Sequence, residues 1–387
     1  MAKKISAAFG LLCAVTGVFA PVPAFAQDDE FVPETPTAKA EMEPGPNVFI
    51  PVQNWANGPS VSYIYSADDL TRKGSVSGGS QSHFTLSRDG TKAYMASGYY
   101  PRYDSGDGEH VLQVFDVATN TLTTEILLPY KVAQYTDDIS LLQLSADETF
   151  AFVQNATPAT SVTVVDLTKG EVTQEVPAPG CFGIYPLPEV VGFSAICNDG
   201  AFTTFTLSAD GKTFESQKSA PIFDPDADPI YLSSDRAEGD LLFISYHGNV
   251  YRLSDKDGVI TKLSVTPIAE GVEGDWGTSG YTVVTYNEAN GILFVPMASA
   301  HYDGSHYHAS EEVWAYDLND KALLYRSPLA DLIGVQVTDG AEPALYGFSI
   351  KDAKVYKYEV DPQARFAAKK VAEHSVDGFA TTLMVSP

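Results

Sequence analysis

Three histidines and an aspartate, His301, Asp303, His306 and His308, fall within eight residues of one another. Neutral imidazoles beside a carboxylate are ligands for zinc or copper. Tyr302, Gly304 and Ser305 between them fix no ligand geometry, so the competing reading is a polar surface loop joining two strands. Asp224, Asp226 and Asp228 place carboxylates on alternate positions, as at the start of a calcium loop. The central glycine and the distal glutamate of that pattern are missing, and Pro225 and Pro229 make the segment a stiff acidic turn. Tyr99, Tyr100, Arg102 and Tyr103 precede a flexible acidic stretch, Asp104–Gly108. Tyrosine and arginine are enriched where proteins meet, so this run reads either as a recognition rim or as a sheet edge with exposed aromatics. No nucleophile elbow, phosphate loop, zinc-protease motif or dinucleotide fingerprint is present. No catalytic, cofactor-binding or metal-binding residue is therefore assigned in this chain.

The elements that must carry these residues are read from a repeat. An aspartate closes a short apolar, aromatic-rich run at Asp68, Asp116, Asp166, Asp210, Asp255, Asp317 and Asp361. The steps are roughly 44 to 50 residues, with one of roughly 62 that contains the histidine segment. That period, filled by short strands and Gly/Asp turns, is what a four-stranded propeller blade requires. The expected fold is all-β, a seven-bladed β-propeller of four-stranded antiparallel sheets spanning residues 46–387. Strand-like runs include Lys92–Ala96, Val111–Val117, Phe150–Gln154, Ser161–Leu167, Leu241–Tyr246 and Ile292–Met297. A second repeat, Leu86-Ser-Arg-Asp89 and Leu144-Ser-Ala-Asp147, marks equivalent turns. Leu207-Ser-Ala-Asp210 has the same letters but is expected elsewhere in its blade. All these aspartates read as turn residues whose side chains bond the backbone two residues on. Asn47–Val52 is expected to pair with Phe379–Met384 and close the ring.

Lys3 and Lys4, the apolar stretch Phe9–Ala20 and the small residues Ala24 and Ala26 form a secretory signal over residues 1–26. The chain is then expected in the periplasm. Residues 27–45, rich in Asp, Glu, Pro and Thr, read as an arm, flexible or draped over a partner. The chain holds 24 basic and 50 acidic residues, a net charge of −26. Loss of the two signal lysines takes this to about −28. Nucleic acid needs a basic face and is not an expected partner. No other segment is long and apolar enough to span a membrane. Cys181 and Cys197 are an even pair in an oxidising compartment. They flank a strand-turn-strand stretch, and a disulfide is expected. In the chain-entropy account, closing a loop of about 16 residues contributes roughly 3 kcal/mol.

Several of these segments resemble the large (heavy, or α) subunit of bacterial quinoprotein amine dehydrogenases, above all the methylamine dehydrogenase heavy chain family. The resemblance is carried by Val114–Leu122, Ser161–Leu167, Gly180–Pro186 with Ile196–Gly200, Asp275–Tyr281, Pro343–Tyr346 and Lys354–Tyr358, and it extends over about residues 45 to 387. It implies a seven-bladed propeller that holds no cofactor and lines part of a substrate channel. A separate small (light, or β) subunit would carry tryptophan tryptophylquinone and oxidise a primary amine to aldehyde and ammonia. The assembly would be an α2β2 tetramer passing electrons to an amicyanin- or azurin-like copper protein or a cytochrome c. One departure stands out. The family has an apolar aromatic after the Gly-Gly turn near the channel mouth, whereas here Gly78 and Gly79 are followed by Ser80 and Gln81. A small polar residue there would widen or wet the channel, which leaves the amine open. Ser80, Tyr99, Tyr100, Arg102 and Tyr103 are the expected partner or channel rim. The other readings are a stand-alone lactonase-like propeller hydrolase and a protein-binding propeller.

Overall fold

The computed structural model describes residues 39–54, 58–102, 105–129, 131–135, 137–300, 302, 304 and 307–386. The secretory segment, Tyr103, His301, Asp303 and His306 lie outside the described residues, as do residues 27–38 of the 27–45 arm.

Residues 40–387 build a ring of seven antiparallel sheets, six of four strands and one with a fifth short strand, Thr285–Asn287. From the innermost strand outward, blade 2 runs Ser80–Leu86, Lys92–Tyr99, Glu109–Asp116 and Thr121–Leu128. Blades 3, 4, 5 and 7 repeat this order and begin at Leu142, Cys181, Ile230 and Gly334, and blade 6 begins at Gly277. No α-helix occurs among the described residues, and none of their helices is long and apolar enough to cross a membrane.

Burial across a blade explains the texture of the sequence. The second strands, such as Asn47–Val52, Phe150–Asn155 and Asp240–Ser245, are buried along their whole length. A neighbouring blade covers each face, so they read as continuous apolar runs and not as alternations. The outermost strand of blade 4, Phe214–Lys218, is exposed throughout and correspondingly polar. The core is a set of seven apolar layers, one between each pair of neighbouring blades. Phe49 and Ile64 meet Phe84 and Met95 between blades 1 and 2. Phe152 and Val164 meet Phe193 and Phe205 between blades 3 and 4. Val48 and Ile50 meet Tyr346 and Phe348 where blade 7 returns to blade 1. Each fully buried side chain of this size contributes about 1.5–3 kcal/mol.

Blade 1 is made from both ends of the chain. Its inner strand is Met384–Val385, and its other strands are Asn47–Val52, Val61–Ser66 and Arg72–Ser77. Val48 pairs with Val385 and Phe49 with Met384. The Ser386 amide donates to the Asn47 carbonyl at 2.9 Å. The expected closure is present, but the paired residues lie at the end of the expected segment. Upstream of Met384 only an isolated bridge joins Phe379 to Gln53, because Thr381 and Thr382 are engaged across the channel.

All seven marker aspartates follow the third strand of a blade, at the same corner. The Asp116 and Asp317 carboxylates accept backbone N–H bonds two or three residues on, as turn residues do. The Leu-Ser-x-Asp repeat is one clamp used three times. Ser87, Ser145 and Ser208 donate to Asp89, Asp147 and Asp210 at 2.6–2.7 Å. The first two close the turn between first and second strands; the third closes the turn between third and fourth, as the sequence suggested. Cys181 and Cys197 are directly opposed on adjacent strands of blade 4 and are joined by a disulfide. Near the arm, the Met42 amide donates to the Ala118 carbonyl at 2.7 Å and its side chain packs on the layer between blades 1 and 2.

Candidate functional site

The inner strands of a propeller run in one direction, so their starts surround one mouth of the central channel and their ends the other. The two mouths differ in chemistry.

The mouth at the strand starts holds a small cavity of about 100 Å³. Its walls are Tyr135, Tyr231, Tyr246, Tyr281 and Tyr307, with Asp137 and Asp138 among the lining residues. They come from the lead-in to blade 3, from blades 5 and 6, and from the loop after Ala298. Tyr231 and Tyr246 pack with tilted rings, centres 4.8 Å apart, and Tyr281 and Tyr307 likewise at 5.7 Å. Tyr135 meets Phe182 edge-on at 5.9 Å. Gly280 (φ +116°) brings the chain so close to Ile333 that a Cβ would stand 2.6 Å from its carbonyl oxygen. Burial raises the phenols of Tyr135, Tyr281 and, most strongly, Tyr231. Ionisation of these three phenols is thereby disfavoured, and Asp137 and Asp138 bring carboxyl groups to this mouth.

Below it runs a buried polar network. The His83 ring donates through Nε2 to the Ala133 carbonyl at 2.7 Å, and its Nδ1 stands 3.4 Å from Asp137 Oδ1. Thr382 Oγ1 donates to Asp137 Oδ2 at 2.9 Å, Thr381 Oγ1 to the Asp137 carbonyl at 2.6 Å, and the Asp137 amide to Gln53 Oε1 at 3.0 Å. Asp138 N-caps the single turn Ile139–Leu141, accepting from the Ser140 amide and hydroxyl at 2.8 and 2.7 Å. Burial pushes the Asp138 carboxyl up, the Ser140 bonds oppose this, and the neighbouring Asp137 adds to the rise.

The rim residues expected from the sequence lie on this same side. Gln53 Nε2 donates to both the Ser82 and Tyr135 carbonyls at 3.1 Å, tying the start of blade 2 to the tyrosine mouth. Ser80 pairs with Gly98, which places Tyr99, Tyr100 and Arg102 just beyond the same edge. Gly79 must lack a side chain, since a Cβ would stand 2.2 Å from the Gly98 carbonyl oxygen. The Tyr99 hydroxyl donates to Gln113 Oε1 at 3.1 Å, and the ring is 41% exposed. Ser80, Tyr99, Tyr100 and Arg102 do not line the tyrosine cavity; they flank it on blade 2. In the histidine segment, Tyr302 Oη lies 3.2 Å from His308 Nε2. No group of three or more His, Cys, Asp or Glu among the described residues is placed to hold a metal. The Asp224 carboxylate accepts from the amides of Asp226 and Ala227, and Asp228 accepts from Asn249, so that acidic run is a structural turn.

The opposite mouth is a wider cavity of about 760 Å³, lined by Thr85, Gln143, Asp235, Gln336, Asp339 and Met384 among others. Two backbone amides, of Tyr286 and Arg236, donate to Asp235 at 2.7 Å. Burial outweighs them, and with Asp339 nearby the Asp235 carboxyl is pushed up to about 7. An unfolded aspartate titrates near 3.9. The folded chain therefore holds this proton more tightly; the resulting stability is full below about pH 4 and is lost as pH rises through about 7. We expect thermal stability to fall between pH 5 and 8 by about 2 kcal/mol from this group. Calorimetry on Asp235→Asn should show that component of the slope missing; an unchanged slope would assign it elsewhere.

The ring of seven antiparallel sheets is a seven-bladed β-propeller, with an aromatic mouth that carries two aspartates. The methylamine dehydrogenase heavy chain family matches residues 55–377, and the chain belongs to that family. It is similar to the methylamine dehydrogenase heavy chain of Methylobacillus flagellatus, 24% identical over 287 residues, covering 72% of this chain and 70% of that one. It is also similar to that of Methylophilus methylotrophus, 22% identical over 311 residues, covering 77% and 74%. Among solved structures, a 6-phosphogluconolactonase-like protein of Bacteroides fragilis shares the fold with a TM-score of 0.60 at 13% identity, covering 92% of this chain and all of that one.

Proposed function

We propose that this chain is the large, cofactor-free subunit of a periplasmic amine dehydrogenase. In this reading a small subunit carrying tryptophan tryptophylquinone docks over the tyrosine mouth and its blade 2 flank, in an α2β2 assembly. It oxidises a primary amine to aldehyde and ammonia and passes electrons to a copper protein or cytochrome c. The observation that carries the reading is the family match over residues 55–377. Two of the chain's three tryptophans, Trp276 and Trp314, support placing the quinone in the partner. Trp276 and Trp314 stack at 5.3 Å, with the Arg326 guanidinium 4.4 and 5.1 Å from their ring centres. Glu312 Oε2 accepts from both Trp314 Nε1 and Arg326 Nε. That stack is committed to packing in blade 6. The quinone, when bound in the complex, supplies the two-electron oxidation. This chain's residues bind and orient: exposed Tyr99 and Arg102 offer anchoring groups at the flank, and Ser80 leaves polar space beside the channel.

Affinity purification of the native complex from amine-grown cells tests this. We expect a small cysteine-rich chain with quinone absorbance to co-elute. If the chain elutes alone, without that absorbance, the proposal fails.

A further inference from the structure

The tyrosine mouth has the composition of a cation receptor. Among the described residues, five aromatic rings surround a space of about 100 Å³, the two charged residues lining it are both aspartates, and no lysine or arginine lines it. Aromatic faces attract cations through their quadrupole, and cages of them recognise organic ammonium groups. The space equals about three water volumes, enough for a compact headgroup but not for a ring system.

The two aspartates differ. Asp137 has both carboxylate oxygens engaged, by His83 and Thr382. Both bonds from Ser140 to Asp138 go to Oδ1. Asp138 is thus the carboxylate with capacity toward the cavity. Burying it beside a second carboxylate is unfavourable, as the upward shift of its proton affinity reports. A bound cation would relieve that cost.

We infer that Tyr135, Tyr231, Tyr246, Tyr281 and Tyr307 with Asp138 form a binding site, in this chain itself, for a compact alkylammonium headgroup. The ring faces take the alkyl carbons and Asp138 takes the positive charge. The choice of ligand rests on the amine reading above, but the site is tested apart from it. Tetramethylammonium has no N–H and cannot be oxidised as an amine, so its binding reads the site with or without a redox partner.

The experiment is titration calorimetry of the isolated full chain with tetramethylammonium chloride at low ionic strength. Neopentyl alcohol serves as the uncharged ligand of similar shape. We expect saturable millimolar binding of the cation and none of the alcohol. Asp138→Asn, which keeps an acceptor for Ser140, should weaken it at least fivefold. Tyr307→Leu, at a ring 52% exposed and so peripheral to folding, should weaken it about threefold. Thermal melts would confirm that both variants are folded. Non-saturable binding, equal binding of the alcohol, or an affinity unmoved by Asp138→Asn in folded protein would each overturn the inference. Loss of the site would leave the subunit assignment standing, and failure of the complex to purify would leave the site standing.

Discussion

Asp137→Ala is expected to destabilise the propeller by about 3–5 kcal/mol, measured by denaturant unfolding. The aspartate is 3% exposed and His83 is fully buried. Removing the carboxylate leaves His83 Nδ1 and Thr382 Oγ1 without their acceptor in a site that water does not freely reach. Breaking a buried pair by removing one partner costs this much because the other group stays desolvated. Asp137→Asn separates charge from hydrogen bonding. Its amide can donate to a neutral His83 Nδ1 while its oxygen accepts from Thr382. A loss of about 1 kcal/mol is expected there. Equal losses in the two variants would mean that the charge, and not the hydrogen-bond network, holds these blades together.

Deleting residues 384–387 is expected to cost about 4–5 kcal/mol and to leave the chain prone to association. Met384 is buried in the layer between blades 1 and 2 and pairs with Phe49. Losing a buried methionine costs about 2 kcal/mol or more, and the lost strand bonds about 1 kcal/mol each. The deletion also exposes the inner edge of Asn47–Val52, an apolar strand buried at every position. Free edges of that kind template pairing with other chains. Light scattering should report oligomers, and a synthetic peptide of residues 379–386 added in excess should suppress them and restore the melting temperature. A truncated chain that melts like the intact one would show that the ring is held by interblade packing alone.

These two predictions rest on contacts that no local pattern announces. The blade corners were legible because each is a short-range event. Asp116, Asp166 and Asp317 bond the backbone within three residues, so the same letters recur wherever the same turn recurs. The clamp of Ser87 on Asp89 is equally local, and its copy at Ser208 differs only in which turn it closes. The disulfide was legible because one hairpin carries both cysteines. The tyrosine mouth was not. Its walls come from the lead-in to blade 3, from blades 5 and 6, and from the loop after Ala298, and in a chain with 21 tyrosines no spacing singles out five of them. The His83–Asp137–Thr382 network was hidden for the same reason: Thr382 reaches Asp137 across 245 residues of sequence. The closing strand was seen in outline, but of the expected Phe379–Met384 only Met384 joins the ladder, with Val385 beside it, while Thr381 and Thr382 bond Asp137. Tyr99 and Arg102 follow a strand whose pairing, Ser80 with Gly98, is set just past the Gly78–Gly79 turn.

Because blade 1 takes its innermost strand, Met384–Val385, from beyond all the other blades in sequence, the circle can be sealed only after those blades have been made. Six sheets and most of a seventh exist earlier as an open arc whose two ends cannot yet cover each other. The contacts that join them span almost the entire sequence, the slowest kind to form. Until then the arc must be kept from pairing with its neighbours.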